Sequence, residues 1–78
     1  MDITKTLSRI VEFRTKAIFA DNKEVEDQLQ KLIPLVLAVY EHREHIHLEE
    51  YIENRKAFYI ELQKLPEEWR PFKVATDI

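Results

Sequence analysis

Glycine and cysteine are both wholly absent from the 78 residues. Without glycine there is no ordinary left-handed helix cap and no glycine-rich phosphate loop, and tight β-hairpins lose their favoured turn residue. Without cysteine, neither a disulfide nor a thiolate zinc site can staple the fold. A domain this small has a thin stability margin, and oligomerisation is the remaining common remedy. Long apolar runs are missing as well. The longest, Leu32–Tyr40, falls far short of the ~20 residues a membrane span needs. The N-terminus carries Asp2, Lys5, Arg9 and Glu12 with no uninterrupted apolar stretch, which argues against a secretory signal, and no Asn-x-Ser/Thr site occurs. A soluble cytoplasmic protein is expected.

What is present favours one helical domain spanning 1–78. Apolar residues make up 45% and charged residues 35%, enough of the first to build a core. Helical periodicity predicts three helices, over about 2–20, 22–42 and 47–65. Asp2 is the expected N-cap of the first. Its stripe holds Ile3, Leu7, Ile10, Val11, Ala17 and Ile18, with Phe13 and Phe19 outside it. Asp21 reads as the N-cap of the second helix, with Glu24 completing a capping box. On that helix Leu35 and Leu37 widen an already apolar face, and they are the positions that separate core from interface. Pro34 falls on the polar side, where it kinks the helix rather than ending it. The third helix gathers Leu48, Tyr51, Ile52, Phe58, Tyr59, Leu62 and Leu65 near heptad spacing. Pro66 stops it, residues 67–69 form a short extra turn, and 70–78 run out as an extended tail. The alternative is fusion of the second and third helices into a hairpin that dimerises.

Each stripe carries an arginine: Arg14, Arg43 and Arg55. A guanidinium in an apolar seam must be paired or reach water past its stem, and arginine is the favoured cation at a chain–chain interface. Tyr51, Arg55 and Tyr59 are therefore expected at a partner seam. Trp69, Arg70 and Phe72 combine interface-enriched residue types beside Pro71. They are the expected anchors for a partner, the alternative being that Trp69 and Phe72 fold back to cap the bundle. The stretch helix–Pro66–Trp69–Arg70–Phe72 resembles the C-terminus of small helical nucleoid co-regulators of the haemolysin-expression-modulating type. The spacings upstream differ, so no residue role follows.

His42, Glu44, His45 and His47 are the candidates for a metal site, but the ligand set is incomplete and no His-Glu-x-x-His occurs. Ser8 is the only serine, and no acid–base pair is recognisable, so no catalytic residue, cofactor or enzymatic activity is expected. Charge is uneven within a net −3: residues 1–20 hold four basic and two acidic groups, residues 21–52 three and eight. That balance disfavours general nucleic-acid binding. The expected function is a small non-catalytic intracellular regulator that acts through another protein, in the manner of inhibitors, antitoxins, immunity factors or phage modulators, as a homodimer or in a hetero-complex. The alternatives are a metal- or anion-binding helical protein using the His/Glu cluster, and a nucleic-acid-associated co-regulator led by Lys5, Arg9 and Lys16.

Overall fold

A computed structural model describes residues 2–45 and 47–72. The chain is an all-α three-helix bundle: α1 (Ile3–Phe19), α2 (Lys23–Glu41) and α3 (Glu49–Gln63), followed by a single 3₁₀ turn at Glu67–Trp69. Because α2 ends at Glu41 and α3 starts afresh at Glu49, the two are not fused.

Local chemistry explains the boundaries. The Asp2 side chain accepts from the Lys5 backbone N–H at 3.1 Å, as an N-cap should. The start of α2 differs from expectation: Asn22, not Asp21, is the N-cap, accepting from Val25 N–H at 3.3 Å. Asp21 has another task. It stands at φ 54°, the left-handed position after α1 that glycine normally fills. Its N–H donates to the Ile18 carbonyl at 3.0 Å, and the Asn22 N–H donates to the Ala17 carbonyl at 2.9 Å. These two bonds are the paired closure of a Schellman motif, made here without glycine. Asp tolerates that backbone better than most residues. Because the cap has moved to Asn22, Glu24 sits one position too early for a capping box. Pro34 lies inside an unbroken α2 on its exposed side, where water can serve the carbonyl that the missing N–H leaves open.

The central helix is α2, which packs against α1 on one side and α3 on the other. Val25, Leu29, Leu32 and Val36 are buried along it in one cluster with Ile10 and Ala17 of α1 and Phe58 and Leu62 of α3, and Val39 is buried further along. Gln28 crosses to α3 and donates to both the Glu61 carbonyl (2.8 Å) and its carboxylate (2.7 Å). Hydrogen bonds from Lys64 and then Gln28 hold the Glu61 carboxyl below its ordinary value.

The last described residues correct the expectation of an extended tail over 70–78. Pro71 and Phe72 are buried, Phe72 only 3% exposed. The Phe72 ring lies 6.1 Å from Phe58 of α3, tilted by 54°, and the Arg9 guanidinium of α1 stands 5.8 Å from its centre. The chain folds back because a phenylalanine gains more from burial than a short strap loses in ordering. Residues 73–78 of the expected tail lie outside the described residues.

Two outcomes follow in denaturant unfolding. Phe72→Ala should lose about 3–5 kcal/mol, most of the stability of a domain this size. Asp21→Gly should keep or raise stability, whereas Asp21→Val should lose about 1–2 kcal/mol, because a β-branched residue cannot relax at positive φ.

Candidate partner-binding surface

Of the residues expected to anchor a partner, Phe72 is buried and Trp69 and Arg70 are half-buried. Trp69 packs against the core. Arg70 donates from Nε to the Leu65 carbonyl (3.0 Å) and from Nη2 to the Gln63 carbonyl (3.3 Å). The Gln63 carbonyl belongs to the last turn of α3 and the Leu65 carbonyl to the turn just beyond it, so the guanidinium caps the C-terminal end of the helix and ties the following turn to it. Phe72 fills the gap described above. The three help to close the bundle, as the fold-back alternative for Trp69 and Phe72 expected, while Trp69 and Arg70 stay partly exposed.

The seam residues are placed differently. Tyr51, Arg55 and Tyr59 are all half-buried on α3, and Arg55 donates to the Tyr51 hydroxyl at 2.8 Å with its guanidinium 5.6 Å from that ring. Arg43 lies beyond the end of α2, where it donates to the Tyr40 carbonyl and stands 3.9 Å from the Tyr40 ring. Arg14 is half-buried. The arginines thus sit at seam edges and helix ends rather than inside the core. Leu35 packs against the core, whereas Leu37 stands open.

Two apolar faces emerge. On α3, Phe58 and Leu62 point inward, while Ile52 and Ile60 are exposed, as is Leu48 at its N-cap; Leu48 and Ile52 thus do not belong to the buried stripe that the periodicity grouped around Phe58. A shallow, almost purely apolar depression is lined by Arg55, Lys56, Tyr59 and Ile60. On a helix, Ile52, Lys56 and Ile60 follow one another at four-residue spacing and form one ridge. The helix is therefore apolar on two sides. The second face belongs to the α1–α2 hairpin. Val11, Ile18 and Leu37 are exposed, and Leu7 and Val11 border a shallow groove with Thr4, Ser8 and Glu12. Sequence periodicity grouped Val11 and Ile18 with the core, because a wide apolar arc looks the same whether one neighbour covers it or two.

The remaining candidates have their groups engaged or dispersed. His42 is half-buried at the end of α2, whereas Glu44, His45 and His47 are exposed beyond it. Among the described residues no three His, Cys, Asp or Glu side chains stand close enough to hold a metal ion. A polar cleft between the start of α2 and the end of α3 is lined by Asn22, Glu24, Gln28 and Lys64. Of these, Asn22 is engaged as a cap, and Gln28 and Lys64 are bonded to Glu61. Of the basic residues on α1, Arg9 lies over Phe72, Lys16 stands 5.1 Å from the Phe13 ring and 3.6 Å from Glu12, and Lys5 is exposed. No helix among the described residues is long and apolar enough to cross a membrane.

Compared with known proteins, the chain matches no family model, no curated protein and no solved structure.

The capping role of Arg70 is directly checkable. Arg70→Ala should lower stability by about 1–3 kcal/mol in urea unfolding. Arg70→Lys should recover only part of it, because an ammonium cannot present two donors in a fixed fork.

Proposed function

We propose that the protein is a small non-catalytic regulator that acts by occupying a surface of another protein. One observation carries this reading. Val11, Ile18, Leu37, Ile52 and Ile60 are each between 43% and 59% exposed on helices whose opposite sides already fill the core. Open apolar side chains grouped on well-formed helices are what a helical interaction module offers a partner. Tyr51, Arg55 and Tyr59 border the α3 face with residue types favoured at interfaces. The aromatic and arginine residues of the C-terminal segment contribute from behind, by fixing the frame on which these faces are held.

The Val11–Leu37 face is the one assigned to the regulated protein. Arg14 stands one turn from both Val11 and Ile18, Glu12 lies beside Val11 and Glu41 one turn beyond Leu37, so recognition there combines apolar contact with a sparse charged rim. Capture from the cells that express the protein tests this. One specific partner should be retained by the wild type and by Glu67→Ala, and lost with Val11→Asp or Leu37→Asp while each variant keeps its helical circular dichroism. Retention of every captured protein by both face variants would reject the reading.

A further inference from the structure

The ridge on the open side of α3 alternates apolar, cationic and apolar side chains: Ile52, Lys56 and Ile60. The two isoleucines stand about 12 Å apart along the helix axis, with Lys56 midway. The depression beside the ridge is walled by Arg55, Lys56, Tyr59 and Ile60, and its surface is almost wholly apolar. Both charged residues of that wall are cations whose stems supply part of the apolar lining. Arg55 is held by the Tyr51 hydroxyl at 2.8 Å. Lys56 is exposed and, among the described residues, has no hydrogen bond or ion pair. Glu53 comes one turn before Lys56 without pairing to it, and neither Glu53 nor Glu49 lines the depression. An ammonium on an apolar surface must keep its water or meet an anion when that surface is covered.

We infer that this face of α3 takes a helical segment of a partner protein bearing apolar, acidic and apolar side chains at successive one-turn steps. Such a helix lies along the ridge with its carboxylate on the Lys56 ammonium and an apolar side chain against each isoleucine. The apolar side chain nearer Ile60 enters the depression against Tyr59. The Tyr59 hydroxyl, on a residue one turn from Lys56, has no partner among the described residues and is a second donor for the carboxylate. The inference rests on the reading of the protein as an interaction module and deepens it, by stating the chemistry that the second open face accepts.

Charge decides between this occupant and a second copy of the chain. Two copies of α3 laid together with their isoleucines in register place Lys56 against Lys56. The hairpin face is no better matched, because its half-buried Arg14 stands one turn from both Val11 and Ile18. Each open face thus carries a cation between two apolar residues, and neither supplies a carboxylate in that position. The anion has to come from a different protein. A ridge of about two turns is a small interface, so an isolated peptide should bind with a Kd on the order of 0.1–1 mM.

The probes are three alanine-based helical peptides, titrated into the isotope-labelled full chain and followed by amide chemical shifts. The first carries Leu, Glu and Leu at four-residue steps; the second has Gln in place of Glu, and the third has Lys. The first should shift amides over 52–60 of α3. The Gln peptide should bind about fivefold more weakly, and the Lys peptide more weakly still. Added salt should weaken the Glu peptide and spare the Gln peptide. Lys56→Met should weaken the Glu peptide and tighten the Gln peptide, each several-fold. A lysine that merely turned to water would instead let Lys56→Met tighten both, which would overturn the inference. Ile60→Asp, at an exposed position, should remove binding with helical content retained. Equal affinity for the Glu and Gln peptides, no binding of either, or shifts centred on Val11 and Leu37 would each overturn the inference. So would α3 amides that shift with protein concentration alone, which would give the face to a second copy. Binding to phosphatidylserine vesicles through Ile60 by a chain that takes none of the peptides would give it to a membrane surface instead. Failure of the peptides alongside a partner that is still lost on Val11→Asp would remove this inference and leave the regulatory reading standing.

Discussion

The whole arrangement depends on where one phenylalanine goes. The central α2 packs extensively on both α1 and α3, whereas those outer helices meet each other only sparsely. Phe72 lies between them, packed on Phe58 of α3 and under the Arg9 guanidinium of α1. Arg70 holds the strap by capping the C-terminal end of α3 and the turn beyond it, and Pro71 restricts the chain between Arg70 and Phe72. Burial of Phe72 thus reinforces the sparse contact between α1 and α3 and closes the bundle on that side. A side chain of this size contributes several kcal/mol to a domain whose total stability is of the same order.

That closure has a direction, and the direction decides what stays open. Arg9 faces the strap, and Val11, two residues on, is turned about 160° away from it around α1. Gln28 faces α3, and Leu37, nine residues on, is turned about 180° from it around α2. Both exposed residues therefore lie on the flank of the hairpin that neither the strap nor α3 reaches. The open apolar face is a geometric consequence of closing a short bundle on one side only. On α3 the same logic leaves Ile52 and Ile60 outside, because a single neighbour covers only one side of a helix.

The three helices were legible in the sequence because amphipathic periodicity and caps such as Asp2 act locally. Leu29, Leu32, Val36, Phe58 and Leu62 were legible as core for the same reason. Three things were not. The cap of α2 escapes the sequence because Asp21 could equally be an N-cap or a left-handed C′ residue, and only the bonds to Ile18 and Ala17 decide between them. Phe72 escapes it because a Pro-containing segment after a helix carries no periodicity, and its fate depends on a gap that exists only once α1 and α3 are in place. Val11, Ile18 and Ile52 look buried because a helical wheel counts apolar positions without counting the neighbours available to cover them.

The last of these bears on function as well as fold. An apolar residue selected for a core and one selected for an interface are chemically the same, so a sequence with more apolar helix surface than its own elements can cover reads as a bundle with a generous core. What separates the two uses is the polar company. Around Phe58 and Leu62 the neighbouring polar groups are paired inward, as Gln28 and Glu61 are. Around Ile52 and Ile60 the polar neighbours are open to solvent, as Glu53 and Lys56 are. The state of the polar neighbours, rather than hydrophobicity, is what separates the open face of α3 from the face that packs on α2.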